Sequence, residues 1–297
     1  NTRLGPSLGG VRSWVYDNLE QHKEDALRLS EAMTLKNSLC GIDFGGGKAS
    51  LNLKGINKTP DLYKSYAEAV ELLKGSYLTA GDVGTFKEDL IQCSKVTKYV
   101  YGINVETSAP TSKGLFNSIR STYNFINKKK DLTNAHIAIS GVGKVGGKLA
   151  KLLFMNGVKI SASSINKELL NELKKEIHLT AVNPENLFQT NCDIVSPCAL
   201  GRSINISNRN QLKCTAIVGA ANNQLDSTET AKWLFNNKIV YAPDYLVNSG
   251  GVIAIAAEIN KTENLIDQYL SKISDRLEAV LLESKENNIQ QILLLKE

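Results

Sequence analysis

The spacing of hydrophobic and polar positions divides the chain near residue 131. In the first part, residues 22–33 and 62–74 repeat apolar side chains at helical spacing, with shorter apolar runs between them. Residues 113–130 predict a long helix, because one face of that helix would collect five large side chains. These are Leu115, Phe116, Ile119, Tyr123 and Ile126. The first part therefore predicts helices mixed with short strands.

Beyond residue 131, short β-type runs alternate with helical segments. The runs are apolar or β-branched and cover residues 136–140, 159–163, 193–195, 216–219 and 239–241. Such alternation predicts βαβ units and a parallel sheet. Residues 263–292 return to helical spacing, which predicts a helical C-terminal segment.

Composition and charge narrow the class of protein. Scattered lysines give the net charge of +5, and the densest run, Lys128-Lys129-Lys130, is short, so we expect no nucleic-acid partner. The five cysteines are odd in number and widely spaced, which predicts reduced thiols and no metal site. No apolar run is long enough to span a membrane, so we expect no membrane partner and a cytoplasmic enzyme. The chain begins at Asn1 without methionine, and we expect further residues upstream.

Two lysines differ from the others in their surroundings. Lys36 and Lys48 lie in segments rich in small and apolar residues, and Lys48 directly follows three glycines, residues 45–47. Glycine lets the backbone bend sharply and approach a ligand closely. A lysine held there can lose its hydration, which lowers its pKa towards the range of a general base. The usual role of a lysine is a solvated surface charge, but that role needs no glycines beside it.

A glycine-rich turn in the second part predicts a dinucleotide site. A short apolar strand is followed by Gly141-Val142-Gly143-Lys144-Val145-Gly146 and then by a helix over residues 147–155. In this context Gly141 would form the tight turn, and Gly143 would let a pyrophosphate reach the helix N-terminus. Gly146 would allow the helix to pack closely on the strand.

The end of the next strand departs from this pattern. Dinucleotide sites that bind NAD usually have an acidic residue there, which holds the ribose hydroxyls. This chain has Ser164 instead. Together with Asn166 and Lys167, Ser164 would accept a 2′-phosphate and favour NADP, or it would leave a weakened NAD site.

These patterns predict an α/β fold with two domains and a cleft between them. We expect a substrate domain with a mixed sheet over residues 1–125, completed by C-terminal helices of about residues 265–297. We expect a Rossmann dinucleotide-binding domain over residues 126–264.

Sequence blocks along nearly the whole chain resemble the Glu/Leu/Phe/Val family of amino acid dehydrogenases, and most closely its leucine dehydrogenases. Besides the glycine-rich turn, the blocks are LGPSLGG (4–10), MTLKN (33–37), GGGK (45–48), TAGDVGT (79–85), PCALG (197–201), GAANNQL (219–225) and PDYLVNSGG (243–251). Their order is the order of the family. The resemblance implies reversible oxidative deamination of an L-amino acid to a 2-oxo acid and ammonia, with hydride transfer to NAD, or to NADP if Ser164 selects it.

The resemblance also assigns roles to residues at matching positions. Lys36 would bind the substrate carboxylate, Lys48 would take a proton from the attacking water, and Asp82 would handle protons of the amino group. Asn248 would hold the substrate near the nicotinamide. The implied cofactor-binding residues are Gly141, Gly143, Lys144, Val145, Gly146, Ser164, Ala220, Asn222 and Asn248.

A pocket for the substrate side chain is implied by the same matches. Its residues are Leu8, Gly9, Gly10, Ala80, Val252 and Ile255. Since they are small or aliphatic and include no cation, they predict leucine, isoleucine or valine as substrate rather than glutamate. Two alternatives stay open: a related dehydrogenase for an aromatic or specialised substrate, and an inactive cofactor-binding descendant. We also expect a homo-oligomer.

Overall fold

The computed structural model of the chain describes residues 1–129, 131–199 and 201–294. Lys130 of the lysine run, Leu200 of the block 197–201, and residues 295–297 of the expected C-terminal helices lie outside the described residues. Contacts group the chain into two compact units. The first comprises Asn1–Thr107 and Val252–Ile266, and the second comprises Ser108–Gly251 and the segment that begins at Asp267.

The first unit is a small sheet with helices. Its elements are β1 (Ser7–Trp14), α1 (Leu19–Cys40), β2 (Gly45–Gly46), β3 (Ala49–Asn52), α2 (Pro60–Leu72), β4 (Tyr77–Gly81) and α3 (Lys87–Ser94). The predicted helices over 22–33 and 62–74 correspond to α1 and α2. Asn18 caps the start of α1 by accepting a hydrogen bond from the backbone N–H of Gln21, and Gly41 ends the helix in the left-handed conformation that glycine adopts without strain.

The described strand pairings of this sheet are all parallel, so the expectation of a mixed sheet is wrong for this part of the chain. Ser7 pairs with Gly45 on one side of β1 and with Tyr77 on the other, which makes β1 the central strand. Val11 pairs with Ala49 in the same register, so β2 and β3 are two pieces of one strand interrupted at Lys48. The physical reason is the helical crossovers: α1 and α2 each return the chain to the same end of the sheet.

The core of the first unit lies between β1 and the helices α2 and α3. In α2 the buried residues Tyr63, Ala67 and Val70 recur at helical spacing. Tyr63 and Ala67 belong to the same buried cluster as Val11 of β1 and Leu90 of α3. This packing fixes β1 from one face.

The second unit contains the predicted parallel sheet. Its strands are β5 (His136–Ser140), β6 (Lys159–Ser163), β7 (Thr180–Ala181), β8 (Ile194–Pro197), β9 (Ala216–Ile217) and β10 (Val240–Tyr241). They pair in parallel in the order β10-β9-β8-β5-β6-β7. That is the strand order of the Rossmann fold, which confirms the predicted architecture of this region. The sequence missed β7, whose two residues are exposed and carry no hydrophobic signal.

Helices cover the strands of the second unit. The sequence of helices continues with α4 (Ser108–Asn127), α5 (Lys144–Met155), α6 (Lys167–Glu176), α7 (Thr228–Asn236), α8 (Asp244–Val247), α9 (Gly250–Asn260) and α10 (Ile266–Asn287). Helix α9 begins in the second unit and continues in the first. No helix in the described ranges is long and apolar enough to cross a membrane.

The grouping by contacts differs from the expected domain boundaries at residues 125 and 265. Helix α4 packs against α5 within the second unit. A methyl group built on Gly114 of α4 would lie 3.3 Å from Leu270 Cδ2 and 3.8 Å from Ile273 Cδ1 of α10. Because α4 and α10 contact each other, both are grouped with the dinucleotide sheet. The division at residue 125 into folding domains stays a prediction.

Candidate active site

The structure brings Lys48 and Asp82 together in the first unit. Lys48 occupies the interruption between β2 and β3, and Asp82 directly follows β4. The Lys48 Nζ lies 3.1 Å from Asp82 Oδ1, and the two side chains are 7% and 16% exposed. The central strand makes room for this pair at Gly10, where a built methyl group would lie 3.1 Å from Asp82 Cβ and 2.3 Å from the Gly81 carbonyl oxygen.

The three glycines before Lys48 serve packing within the protein. A methyl group built on Gly46 would lie 2.0 Å from the backbone nitrogen of Thr34 in α1, and one on Gly47 would lie 3.0 Å from Ser7 Oγ. The separation at Gly46 is too short for a real Cβ atom and the one at Gly47 is tighter than most, so the glycines let α1 and the neighbouring strand approach closely. The run therefore holds Lys48 in place by tight surroundings.

Asp82 has a second cation on its other oxygen. Arg12 of β1 donates from Nε to Asp82 Oδ2 at 3.0 Å, and from Nη1 to Asp25 Oδ2 of α1 at 3.0 Å. Asp25 also accepts hydrogen bonds from the Tyr16 hydroxyl at 2.7 Å and from Arg28 Nη2 at 2.9 Å. We name this set, Arg12, Tyr16, Asp25 and Arg28, the arginine network.

The surroundings of Lys48 favour the neutral amine. Burial lowers the pKa of Lys48 below its ordinary value, although the Asp82 carboxylate acts in the opposite direction. The positive charge of Arg12 adds to the lowering. Within the network, burial opposes ionisation of Asp25, but hydrogen bonds from Arg28, Tyr16 and Arg12 outweigh it and lower the pKa of that carboxyl group. An amine of lowered pKa is suited to accept a proton.

Lys36 lies on the last turns of α1, where it is partly buried. The next residue, Asn37, is fully buried and donates from Nδ2 to the carbonyl oxygens of Leu8 at 3.2 Å and Gly45 at 2.7 Å. These bonds tie the end of α1 to β1 and β2. Lys36 therefore has a fixed backbone position beside the strands that carry the Lys48 pair.

The predicted pocket residues divide into core and partly exposed positions. Leu8 and Ala80 are only 1% and 2% exposed, whereas Val252 and Ile255 of α9 are partly exposed. Gly9 and Gly10 are buried in β1, and Gly10 pairs with Ala80.

Gly102, which the sequence analysis missed, connects Ala80 to α9. A methyl group built on Gly102 would lie 3.3 Å from Ile255 Cδ1 and 3.7 Å from Ala80 Cβ. Its φ of +76° is a conformation that favours glycine. The Gly102 N–H also donates to Glu258 Oε2 at 2.8 Å, which ties this loop to α9.

The glycine-rich turn of the second unit has the geometry of a dinucleotide site. Gly141 has a φ of +96°, and a methyl group there would lie 2.7 Å from Ala199 Cβ. A methyl group on Gly146 would lie 2.0 Å from the Gly141 carbonyl oxygen. Gly143 is exposed and has open space beside it, directly before Lys144 at the start of α5. These residues fit a dinucleotide, because the open Gly143 and the backbone N–H groups of α5 would receive a pyrophosphate.

Two further predicted cofactor positions flank this turn. Val145 accepts a hydrogen bond at its carbonyl oxygen from Ser112 Oγ of α4 at 2.9 Å, which anchors the first turn of α5. Ser164 follows β6, next to the turn, because the Gly141 N–H donates to the Ser163 carbonyl oxygen. The Ser164 hydroxyl accepts from the Asn166 N–H at 3.1 Å, and Asn166 itself caps α6.

The predicted nicotinamide-side residues also meet within the second unit. Asn248 donates from Nδ2 to Asn222 Oδ1 at 2.8 Å and to the Ala220 carbonyl oxygen at 3.2 Å. The Asn248 Oδ1 atom is buried and has no hydrogen-bond partner. An oriented amide with one unsatisfied oxygen is a group that a ligand would complete.

Sequence reasoning missed Arg12, Asp25 and Tyr16 as well as Gly102. Arg12 carries one usable signal: it is a charged residue in a strand whose neighbours, Val11 and Ser13, are buried. A charge in such a strand needs a partner. Asp25 lies in a helix with many other charged residues and carries no comparable signal.

Comparison with known proteins identifies the class. Residues 1–98 match the family model of the Glu/Leu/Phe/Val dehydrogenase dimerisation domain, and residues 164–293 match the model of the glutamate/leucine/phenylalanine/valine dehydrogenases. These matches identify an amino acid dehydrogenase that uses a nicotinamide cofactor. The chain belongs to the Glu/Leu/Phe/Val dehydrogenase family, which confirms the resemblance.

Individual relatives carry different substrate names. A phenylalanine dehydrogenase of Bacillus thermotolerans is 35% identical over 98% of this chain and 79% of its own length. A leucine dehydrogenase of Bacillus subtilis is 37% identical over 87% of this chain and 73% of its own length. Among solved structures, L-tryptophan dehydrogenase from Nostoc punctiforme is 34% identical with a TM-score of 0.89, covering 100% of this chain and 87% of that one.

Proposed function

We propose that this chain catalyses the reversible oxidative deamination of a branched-chain aliphatic L-amino acid, meaning leucine, isoleucine or valine, to the 2-oxo acid and ammonia. The observation that carries the proposal is the buried contact between Lys48 and Asp82. A lysine of lowered pKa can take a proton from water, and the carboxylate held against it can hold a proton for the departing amine. Burying such a pair takes two charges out of water, which costs free energy of folding.

The roles follow from the chemistry of each bond. Asp82 takes a proton from the substrate ammonium group. When bound beside Asn222 and Asn248, a nicotinamide would supply the acceptor for the hydride of the substrate Cα, which leaves an iminium carbon. Water attacks that carbon and gives one proton to Lys48, which forms a carbinolamine. Asp82 returns its proton to the nitrogen, and as the C–N bond breaks and the carbonyl forms, the hydroxyl proton leaves with the ammonia as ammonium. Lys36 holds the substrate carboxylate, because a cation on a fixed helix end orients it.

The proposed pocket supports an aliphatic substrate. Leu8, Ala80, Val252 and Ile255 offer apolar surface and no positive charge for a second carboxylate. The space beside Gly102 is limited by Ile255, since a single added methyl group would already contact it. Both features agree with a side chain of a few carbons.

An aromatic L-amino acid is the second candidate substrate. It is supported by the names of the phenylalanine and tryptophan dehydrogenases among the relatives. Hydrophobic pockets discriminate by about 1–3 kcal/mol per methylene, so some overlap between substrates is expected.

For the cofactor we propose NAD, with NADP as the alternative. The NADP alternative follows from Ser164 at the end of β6, which stands where NAD sites usually have the carboxylate that repels a 2′-phosphate. The Ser164 hydroxyl and the Asn166 side chain are both used in local hydrogen bonds, which leaves Lys167 as the nearby cation. Asn248, Asn222 and Ala220 would hold the nicotinamide end.

We further propose that the chain works as a homo-oligomer. The match of residues 1–98 to a domain described as a dimerisation domain supports this. Light scattering on the purified protein measures the subunit number directly.

The location of the protein in the cytoplasm stays a prediction.

The test of the proposed function is cofactor reduction with a panel of L-amino acids, each with NAD and with NADP. Turnover with leucine, isoleucine or valine above that with phenylalanine and tryptophan is the expected result. Preference for an aromatic substrate would favour the second candidate. If folded protein binds cofactor but turns over no amino acid, the inactive descendant becomes the better description.

A further inference from the structure

Arg12 occupies an unusual place for an arginine. It lies on the central strand of the first unit, and its side chain is 17% exposed. Its guanidinium joins two carboxylates from different elements, Asp82 after β4 and Asp25 on α1, each at 3.0 Å. A planar fork of fixed N–H donors can bridge two such groups in one geometry, which a lysine ammonium cannot do.

The far side of the arginine network is itself anchored. Asp25 is 15% exposed and accepts hydrogen bonds from the Tyr16 hydroxyl and from Arg28. Tyr16 is 6% exposed and stacks on His22 with ring centroids 4.6 Å apart. Arg12 is therefore held from behind while its Nε faces Asp82. An arginine retained only for surface charge would need none of these partners.

We propose that Arg12 is a positioning residue for the reaction: it fixes the Asp82 carboxylate so that Oδ1 faces Lys48, and it occupies Oδ2 with a permanent positive charge. This inference rests on the proposed function of Lys48 and Asp82. It adds a residue that contacts Asp82 directly and acts on Lys48 through its charge.

The charge of Arg12 also affects the protonation of Lys48. Asp82 faces Lys48 from the end of β4, Arg12 from β1, and Asp25 with Arg28 from α1. Arg12 and Arg28 already balance the two carboxylates, so a proton on Lys48 adds an uncompensated charge in a buried place. Lys36 on α1 would add a further positive charge. Removing the charge of Arg12 therefore leaves Asp82 free to stabilise the Lys48 ammonium.

Three variants separate position from charge. In Arg12→Gln both functions are lost, and we expect kcat to fall about 100-fold, the scale of a misplaced catalytic group. The acid limb of the pH–rate profile moves to higher pH, because a better-stabilised ammonium loses its proton later. Arg12→Lys keeps the charge but cannot bridge Asp82 and Asp25, so kcat falls while the acid limb stays close to that of the wild type. Arg28→Gln is the comparison variant: it removes a guanidinium that contacts Asp25 but not Asp82, so we expect a smaller fall in kcat than in Arg12→Gln.

The protonation of Lys48 can also be measured independently of turnover. Trace acetylation of the intact protein, followed by mass spectrometry of the peptide carrying Lys48, gives the fraction of neutral amine at each pH. We expect the midpoint for Lys48 to lie higher in Arg12→Gln than in the wild type, Arg12→Lys and Arg28→Gln. If wild-type protein turns over no amino acid, the proposed function fails, and the acetylation midpoints still decide the role of Arg12.

Two results would overturn the inference. One is an Arg12→Gln protein with the turnover and the Lys48 midpoint of the wild type. The other is an equal loss in Arg28→Gln, which would show a general structural effect. Should Arg12→Gln fail to fold, Tyr16→Phe replaces it: the variant removes one anchor of Asp25, and we expect a smaller fall in kcat with an unchanged acid limb. A Tyr16→Phe protein with wild-type kcat would then count against the positioning role.

Discussion

The charged cluster of the first unit and the glycine-rich turn of the second differ in the groups that form them. Around Lys48, the proposed function depends on side chains that contact one another: Asp82, Arg12 and Asp25 form a chain of ion pairs, each at about 3 Å. Around Gly143, the proposed cofactor binding depends on the backbone and on the open space where a side chain would stand. A substitution in the first site changes charge and protonation, whereas one in the second changes which ligand fits.

The largest effect is expected in the charged cluster. Lys48→Ala removes the proposed base for water, and we expect turnover to fall about 1,000-fold or more, the scale of a lost general base. Binding of the cofactor, measured by fluorescence titration, stays unchanged because the glycine-rich turn is untouched. Lys58→Ala is the control, since Lys58 also forms an ion pair, with Asp89 at 2.8 Å, but is 29% exposed. Retained turnover in Lys48→Ala would remove Lys48 from its assigned role.

Asp82→Asn tests the same pair from the other partner. The amide keeps the shape of the carboxylate but not its charge, and we expect kcat to fall about 100-fold. Asp82 is the main group that raises the pKa of Lys48 against burial, so the pKa of Lys48 falls further in the variant. The acid limb of the pH–rate profile therefore moves to lower pH, opposite to the shift expected for Arg12→Gln. Shifts of the same sign in both variants would contradict this account of the cluster.

The difference between the two sites explains what the sequence could predict. The glycine-rich turn is local: strand, glycines and helix are contiguous, and β5 and β6 were predicted with their observed bounds. The contact of Arg12 with Asp82 depends instead on the register of β1 against β4, where Val11 pairs with Gly81. No local pattern contains that register. Gly102 was missed for the same reason, because its neighbours Ala80 and Ile255 are distant in the sequence.

Some features of the fold were beyond local patterns for the same reason. The direction of strand pairing in the first unit follows from the crossovers by α1 and α2, and the short runs of β2 and β3 gave no sign of it. The glycine run before Lys48 was visible in the sequence, because three residues without side chains mark a place where other groups can approach the backbone closely. Their purpose, close packing against α1, needed the structure.

Enlarging the proposed pocket tests the substrate class. Ile255→Ala removes the side chain that limits the space beside Gly102, and we expect the ratio of kcat/KM for phenylalanine over leucine to rise by about 30-fold. Val105→Ala, which alters an apolar side chain lining a cavity that Ile255 and Gly102 do not line, is the control and keeps the ratio of the wild type. An unchanged ratio in Ile255→Ala would place Ile255 in the core and not in the pocket.

The smallest effect is expected at the cofactor site of the second unit. The glycine-rich turn determines how the cofactor fits there, and Ser164 only modifies that fit. Ser164→Asp adds an acceptor for the ribose hydroxyls and repels a 2′-phosphate, so we expect the preference for NAD over NADP to rise about tenfold, the value of one charged hydrogen bond. Ser164→Asn is the matched control, because it adds bulk and an amide without charge. The measurement is kcat/KM for each cofactor at saturating amino acid. If Ser164→Asp and Ser164→Asn both keep the wild-type preference, the end of β6 does not read the ribose, and Lys144 at the start of α5 becomes the residue to test next.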